Sequence, residues 1–406
     1  MKMTIIFAAL LPLAAGAADW PQFLGPTRNA VYSGTPLADS WPSEGPPVVW
    51  RAAVGEGYSS PVISDGRLIL AHRVGDELLV SCYAMLTVQT NWPSRFPMKF
   101  RDGEGGDSGP RPTPTIKGER VFVCNTDGFL VCLDLKHGAT IWSHRTKSEF
   151  KSEATWHGSV SSPLVIDRTV IVQVGGTNSA GVVAFDGATG DVLWKALNEK
   201  ASASSPVLAT FDGKPQLLVI TRTAVHALNP ETGSDCWSFP TRKQSTGNLY
   251  AASPVMFGDH LFVAGGYGLG TRLLQFENDS PKKLWHLDDA LSTLYANAIH
   301  DGGFLYGFHG HPGLPEGRRF RCIEVASGKV VWEQVQSGSG TVTRIGERLL
   351  MLLDNGELVL ATATPKGLQI KSRAQIVGRP TRSYPAIVNG YAFIKGPKEL
   401  VCLDLR

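Results

Sequence analysis

The sequence predicts an all-β protein, a single eight-bladed β-propeller with four antiparallel strands in each blade. Three observations predict this fold: tryptophans that recur along the chain, Ser/Thr-Pro pairs that open the repeats, and glycine turns that precede the tryptophans. The steps between tryptophans are 42 to 52 residues, close to the period of about 40–50 residues of propeller blades. The tryptophans are Trp50, Trp92, Trp142, Trp194, Trp237, Trp285 and Trp332.

The composition agrees with this fold class and excludes others. The chain has 406 residues, of which 43% are hydrophobic and 18% are charged, with 44 Gly and 26 Pro. This mixture suits many short strands joined by tight turns, and it is too apolar for a disordered protein. The formal net charge is +3 and no Lys/Arg run is present, so we expect no nucleic-acid partner.

The N-terminus has the features of an export signal. Lys2 precedes an apolar run over residues 5–15, and the Ala-Gly-Ala tripeptide at 15–17 is a small-residue cleavage site. We therefore predict a signal peptide at 1–17, a leader segment at 18–47 and the propeller at 48–406. The alternative is a retained N-terminal anchor. The apolar run is too short to span a membrane and no Cys lies at the cleavage point, so we expect a periplasmic or secreted protein without a lipid anchor.

Each repeat is predicted to open with a short innermost strand that contains Ser/Thr-Pro. Proline cannot donate to a strand ladder, but it is tolerated on an edge strand, and the innermost strand of a blade is such an edge. The pairs are Ser60-Pro61, Thr113-Pro114, Ser162-Pro163, Ser205-Pro206 and Ser253-Pro254, with Tyr384-Pro385 near the end.

The second and third strands follow as apolar segments, and a glycine turn leads from the third strand to the fourth. Glycine supplies the positive φ that closes such a hairpin. The tryptophan of the fourth strand is predicted to fill the space between adjacent blades. The turn glycines are Gly138, Gly190, Gly233 and Gly328.

The repeat count gives eight blades. Seven units begin near residues 59, 112, 161, 203, 251, 295 and 340, and the eighth begins near 382 and reaches only its third strand. The segment 48–52 has the fourth-strand pattern without a unit before it, so we predict that it completes the last blade and closes the ring. Blade 7 is degenerate, with Lys371 and Ser372 where the tryptophan would stand. Blade 1 is expected to end irregularly over 86–109, a segment that is either a lid or a loose loop.

The repeats resemble the pyrroloquinoline-quinone (PQQ) type, whose motif is roughly A-x-D-x-x-T-G-x-x-x-W. The segments FDGATGDVLW from Phe185 and IEVASGKVVW from Ile323 match it, and the leader segment WPQFLGP from Trp20 resembles the start of secreted PQQ-binding-like propellers. The resemblance covers about 48–406. It places the chain near the quinoprotein alcohol dehydrogenase-like propellers and near the propeller subunit of the bacterial outer-membrane β-barrel assembly machine. It implies the fold and leaves function open.

Six cysteines in an exported protein suggest disulfides, but the repeat favours another interpretation. Cys82, Cys132, Cys322 and Cys402 share one register on the third strand, where blades 3 and 4 carry alanine. We therefore predict that these four are small buried core residues.

The metal signal is weak. His309 and His311 lie in a blade 6 loop, yet two histidines alone fall short of the three or four ligands of a zinc site. An incidental His pair in a polar loop is the favoured alternative, and we expect no metal.

A binding site is predicted at the mouth of the central channel, because the residues before each innermost strand should lie near the axis. Polar and aromatic residues that converge on one opening suit a small molecule or a glycan; a merely water-filled channel is the alternative. The candidates are Glu56, Tyr58, Arg111, Trp156, His157, Tyr250, Tyr295, Arg379 and Arg382.

Three functions remain open. The favoured one is a non-catalytic binding scaffold for a protein, small-molecule or glycan partner, and we expect it to be monomeric. The second is a PQQ-dependent oxidoreductase with calcium; the resemblance implies a vicinal disulfide and acidic calcium ligands, but this sequence has no Cys-Cys pair. The third is a carbohydrate-active enzyme with its site at the channel mouth. No catalytic residue can be assigned, and no cofactor is expected.

Overall fold

The computed structural model contains eight sheets arranged as an eight-bladed β-propeller. It describes residues 19–103, 105–153, 155–211, 213–241, 250–277, 280–311, 318–335 and 338–406. The predicted signal peptide, 1–17, lies outside these residues.

The elements follow one another as short strands with one brief helix. They are β1 (Val31–Tyr32), β2 (Val48–Ala53), β3 (Val62–Ser64), β4 (Arg67–Val74), β5 (Glu77–Ala84), β6 (Thr90–Pro97), β7 (Thr115–Lys117), β8 (Arg120–Cys124), β9 (Phe129–Asp134), β10 (Thr140–Arg145), α1 (Thr146–Glu149), β11 (Leu164–Ile166), β12 (Thr169–Gln173), β13 (Val182–Asp186), β14 (Val192–Ala196), β15 (Val207–Phe211), β16 (Lys214–Ile220), β17 (Ala224–Leu228), β18 (Asp235–Pro240), β19 (Val255–Phe257), β20 (His260–Gly265), β21 (Gly270–Glu277), β22 (Ser280–Leu287), β23 (Ile299–Asp301), β24 (Phe304–His309), β25 (Arg319–Glu324), β26 (Val330–Val335), β27 (Gly340–Ile345), β28 (Arg348–Leu353), β29 (Glu357–Thr364), β30 (Gly367–Gln375), β31 (Ala386–Val388), β32 (Tyr391–Lys395) and β33 (Glu399–Asp404).

From β3 onward, each group of four consecutive strands forms one antiparallel blade, with the first strand innermost and the fourth outermost. The predicted ring closure is confirmed. Strand β2 pairs antiparallel with β33 in the last blade, and Trp50 lies opposite Cys402. The first and last blade strands of the propeller are thereby held in one sheet, which removes the open edge that a partial blade would leave.

The pairing of the third and fourth strands contains a β-bulge in every blade. In blade 2, Thr140 pairs with Leu133 and Trp142 with Cys132, which leaves Ile141 as the extra residue. A bulge twists an exposed edge strand and hinders edge-to-edge association with another molecule. The cysteine prediction is confirmed, since all four cysteines of the shared register are buried opposite a blade tryptophan; the pairs are Cys82–Trp92, Cys132–Trp142, Cys322–Trp332 and Cys402–Trp50.

The tryptophans join neighbouring blades, as predicted. The indole N–H of Trp142 donates to the main-chain oxygen of Gly187 in blade 3 at 3.2 Å. Gly190 in that same turn has φ of 83°, and a Cβ there would lie 2.9 Å from the Trp142 ring. The turn glycine is therefore required twice, once for its positive φ and once for the close approach of the tryptophan of the preceding blade.

The degenerate blade 7 is completed by the leader segment. Ser372 lies opposite Leu360 at the position where other blades have tryptophan. The main-chain N–H of Trp41 donates to Ser372 Oγ at 2.7 Å, and half-buried Trp41 packs against the core shared by blades 1, 7 and 8. The leader also adds β1 as a parallel fifth strand beside β27.

The end of blade 1 is more regular than the sequence indicates. Strand β6 is an ordinary fourth strand, so the expectation of irregular structure from residue 86 is wrong, and the insertion is confined to 98–109. Arg73 holds this insertion, because its guanidinium donates to the main-chain oxygens of Phe100 at 2.6 Å and Ser108 at 3.0 Å.

The Ser/Thr-Pro pairs lie just before the innermost strands and not within them as predicted. In each blade that has such a pair, the innermost strand begins at the residue after the proline. Their hydroxyls join the blades around the axis. The N–H of Ser60 donates to Thr113 Oγ1 at 3.1 Å, that of Thr113 to Ser162 Oγ at 2.9 Å, and that of Ser162 to Ser205 Oγ at 2.9 Å. Tyr384 N–H extends the series to blade 8, because it donates to Ser60 Oγ at 2.8 Å. We call these hydroxyl-linked residues the inner girdle.

Candidate binding cavity at the mouth of the central channel

The channel has two different ends, which we call the base, where the innermost strands finish, and the mouth, where they begin. The leader crosses the base. Trp20 N–H donates to Ile63 O at 3.0 Å in blade 1, and Ile116 N–H of blade 2 donates to Pro21 O at 2.7 Å. On the far side, Arg344 N–H of blade 7 donates to Ala30 O at 2.8 Å. Residues from three blades therefore hold the leader by main-chain hydrogen bonds.

Arg28 is the buried charge of this base. Its guanidinium donates to Pro163 O at 2.9 Å and to Gln22 Oε1 at 3.2 Å, and within the described part of the chain it forms no ion pair. Burial lowers its pKa to about 9, so the side chain remains a cation at neutral pH. Phe23 lies above, with its ring edge-on to Tyr384 at 5.6 Å between centroids, and it forms the floor of the cavity.

Above this floor the mouth contains a cavity of about 300 Å³. The structure brings five of the nine predicted site residues into its wall, from blades 1, 2, 3, 6 and 8. They are Tyr58, Arg111, His157, Tyr295 and Arg382.

Four predicted residues lie elsewhere. Trp156 is 69% exposed and stands on the rim, where its main-chain oxygen accepts from Gly103 N at 3.3 Å. Tyr250 is fully buried behind the wall, because its hydroxyl accepts from Arg272 at 3.1 Å. Glu56 lies along a separate cleft beside blade 1, and Arg379 is exposed outside the cavity. Sequence position before a strand gives the blade of a residue but not the direction of its side chain.

Two arginines and two tyrosines form an alternating array in the wall. The guanidinium carbons of Arg111 and Arg382 each lie 5.2 Å from the Tyr58 ring centroid, and that of Arg382 lies 5.6 Å from the Tyr295 ring. Such contacts stabilise a partly buried cation. Burial raises the pKa of both Tyr58 and Tyr295, so both phenols are neutral hydrogen-bond donors at physiological pH.

Sequence reasoning missed Asp102, which the 98–109 insertion brings to the cavity. Its carboxylate lies 2.5 Å from Arg111 Nη2 and 2.9 Å from His157 Nδ1, and its side chain is 2% exposed. Its other oxygen accepts from Gly106 N at 3.1 Å. The insertion thus supplies the counter-charge for Arg111, and no local motif marks an aspartate for this contact.

The cleft beside blade 1 contains a His–Ser contact that resembles a catalytic pair. His72 Nε2 lies 3.0 Å from Ser81 Oγ, but His72 Nδ1 accepts from Gly55 N at 2.9 Å. Since Nδ1 is an acceptor, the proton is on Nε2, which donates to the serine and cannot act as its base. Burial lowers the pKa of His72 to about 4, which also indicates a structural histidine.

The histidine pair of blade 6 is split between two environments. His309 is buried and its Nε2 lies 2.9 Å from Asp289, whereas His311 faces the cavity with its Nε2 3.1 Å from the Tyr267 hydroxyl. Across the described residues, no three His, Cys, Asp or Glu side chains are grouped as a metal site requires. Calcium would need several oxygen ligands, and Asp102, the one carboxylate among the described residues of the cavity wall, is already bonded to Arg111 and His157.

A membrane-spanning helix is not found in the described part of the chain, where the single helix, α1, has four residues.

Comparison with known proteins identifies relatives. The sequence model of the family described as "Outer membrane protein assembly factor BamB" matches residues 49–334. BamB of Bordetella pertussis is 25% identical over 308 residues, which cover 72% of this chain and 70% of that protein. BamB of Burkholderia pseudomallei is 29% identical over 163 residues, 39% of this chain and 38% of that protein.

Solved structures show the same fold. The crystal structure of BamB from Moraxella catarrhalis has a TM-score of 0.63 at 16% identity and covers 89% of this chain and 98% of its own. The quinohemoprotein alcohol dehydrogenase from Comamonas testosteroni has a TM-score of 0.69 at 13% identity, covering 96% and 80%. The predicted resemblance to PQQ-like propellers is confirmed, and at these identities the structural likeness shows the fold alone.

Proposed function

Because this chain belongs to the family of outer membrane protein assembly factor BamB, we propose that it is an exported, non-catalytic binding scaffold whose partner enters the mouth of the channel. The main support for this proposal is the cavity at the mouth of the channel, which is open at the mouth and closed at its floor. Seven blades and the 98–109 insertion supply its wall, and the leader residue Phe23 lines it from below. A concave site with apolar walls and a few polar groups is the usual form of a binding site.

Further contacts support binding over catalysis. In the cavity, the carboxylate of Asp102 is engaged by Arg111, and in the separate cleft beside blade 1, His72 is engaged by Gly55. The proposal includes neither PQQ nor its calcium, because the described residues of the cavity wall offer no set of carboxylates that could hold the ion. The relatives named above are assembly factors, which favours a protein partner.

Photo-cross-linking in cells that export the protein tests whether a partner binds at the mouth of the channel. A photoreactive residue at Trp156, on the rim, should cross-link a partner, while the same residue at Ile370, 45% exposed on the outer strand of blade 7, should not. Ala251 lines the cavity, so Ala251→Trp should fill it and abolish the cross-link. Ser143→Trp, on the exposed outer strand of blade 2, is the matched control and should leave it unchanged.

Equal cross-linking from Trp156 and Ile370, or a cross-link that persists in Ala251→Trp, would contradict the proposal. Native mass spectrometry of the exported protein tests for a small-molecule partner. A bound small molecule would add mass to the wild-type protein, and this added mass should be absent from Ala251→Trp. Cell fractionation and the mass of the mature N-terminus test export, and cleavage after Ala17 is the expected result.

A further inference from the structure

Arg382 contributes hydrogen-bond donors to the cavity wall that the described residues do not fully use. Its Nε lies 3.4 Å from Asp354 Oδ1, a long contact, and its two terminal nitrogens have no hydrogen-bond partner within the described residues. The rings of Tyr58 and Tyr295 hold the guanidinium on either side. Arg382 therefore presents a fixed fork of N–H groups to the cavity.

Two further donors nearby are buried without a partner among the residues that the structure describes. They are Arg111 Nε and the Tyr295 hydroxyl. An unsatisfied buried donor costs about 1–3 kcal/mol, so such groups indicate a missing acceptor. Both belong to residues that line the same cavity as Arg382.

The described residues show no free carboxylate for these donors. Among them, Asp102 is the one carboxylate that lines the cavity, and it already accepts from Arg111, His157 and the Gly106 N–H. A ligand would therefore bring the acceptor oxygens itself.

We propose that the mouth of the channel binds a carboxylate, which accepts two parallel hydrogen bonds from the terminal nitrogens of Arg382. This inference rests on the proposed binding function and names the chemistry of what binds. A carboxylate matches the planar fork of arginine, and charge-assisted pairs of this kind are stronger than neutral hydrogen bonds.

Arg382 is only weakly paired within the described residues. Arg111 is engaged by Asp102 at 2.5 Å, whereas Arg382 meets Asp354 through Nε alone, at 3.4 Å. A carboxylate can therefore pair with the terminal nitrogens of Arg382, while a phosphate dianion would bring a second negative charge near both aspartates.

The rest of the ligand must be flat or apolar. Phe23, Tyr58, Tyr295 and Tyr384 provide aromatic surface around the fork. The carboxylate can belong to a small aromatic acid or to an acidic side chain of a protein partner, and the experiment separates these sources.

Calorimetric titration with matched probes tests the carboxylate. The small-molecule arm compares 4-hydroxyphenylacetate with its neutral amide, and the peptide arm compares acetyl-Tyr-Glu-Tyr-amide with acetyl-Tyr-Gln-Tyr-amide. In at least one arm the acid should bind about 10–100-fold more tightly than its amide, the range expected for a charge-assisted hydrogen-bonded pair. Arg382→Gln should reduce this ratio to about one, in keeping with loss of the fork. Arg101→Gln, whose side chain pairs with Asp76 outside the cavity, should keep it.

The outcomes decide between the possibilities. If the small acid alone shows the preference, the ligand is a free carboxylate; if the peptide alone shows it, the carboxylate comes from a protein partner. Equal binding of acid and amide, tighter binding of inorganic phosphate, no binding of any acid, or an unchanged ratio in Arg382→Gln would overturn the inference. The proposed function fails separately, through a rim cross-link that survives Ala251→Trp.

Discussion

The base and the mouth of the channel are built from different interactions. At the base, the leader is held by main-chain hydrogen bonds to blades 1, 2 and 7 and by burial of Trp20 and Leu24. At the mouth, charged and aromatic side chains from six blades face a cavity, and some of their donors, such as Arg111 Nε and the Tyr295 hydroxyl, have no partner among the described residues. The difference indicates that the base contributes stability, while the mouth keeps polar groups available at some cost in stability.

The largest expected effect tests the base. Trp20 is 1% exposed and packs at the closed end of the channel. Trp20→Ala should lower the free energy of unfolding by about 3–5 kcal/mol, because it removes a large buried side chain and leaves a cavity. Urea unfolding at neutral pH measures the loss. A decrease below about 1 kcal/mol, a size typical of less critical positions, would show that the leader does not close the base in solution.

The second largest expected effect is a loss of stability at acidic pH, caused by His72 on the mouth side of blade 1. His72 accepts from Gly55 N–H and so holds the segment that leads to Tyr58. Burial lowers the pKa of His72 to about 4, so between pH 6.5 and 4 the unfolded chain binds a proton that the folded protein excludes. The free energy of unfolding should therefore fall by about 3 kcal/mol as the pH drops through this range.

The control for this pH effect is a pair of substitutions. His72→Gln retains an acceptor and a donor but has no proton to bind, so its stability curve should be flatter below pH 6.5. His137→Gln, at an exposed turn position, should leave the curve unchanged. Identical slopes for the wild-type protein and His72→Gln would show that His72 is not responsible.

The sequence predicted the periodic part of the molecule well. The blade tryptophans, the cysteine register and the closing strand all recur at fixed positions, because each repeat solves the same packing problem. The inner girdle was missed, since the residues of the Ser/Thr-Pro pairs were interpreted through proline alone. The hydroxyl of Ser60 links two blades only once the ring has closed.

The site was less predictable for a physical reason. Five of nine residues reached one cavity because the start of each innermost strand is fixed by the repeat. Asp102 and the leader residue Phe23 come from non-repeating segments, which place their side chains by contacts remote in sequence. Tyr250 occupies the predicted blade but turns into the core, where Arg272 binds its hydroxyl.

The smallest expected effect on the free energy of unfolding is that of a substitution at Trp156, on the rim of the mouth. This substitution should impair partner binding without affecting stability, in contrast to Trp20→Ala at the base. Trp156 is 69% exposed, so Trp156→Ala should change the free energy of unfolding by no more than about 0.5 kcal/mol. An exposed tryptophan beside a cavity is a typical binding hot spot, whose loss costs more than about 1 kcal/mol of binding. With the photoreactive residue moved to Tyr267, also on the rim and 50% exposed, Trp156→Ala should lower the partner yield several-fold. Leu193→Ala, at a position 50% exposed on the outer strand of blade 3, should change neither the free energy of unfolding nor the partner yield. A stability loss comparable with that of Trp20→Ala, or an unchanged yield, would mean that Trp156 serves the fold rather than the partner.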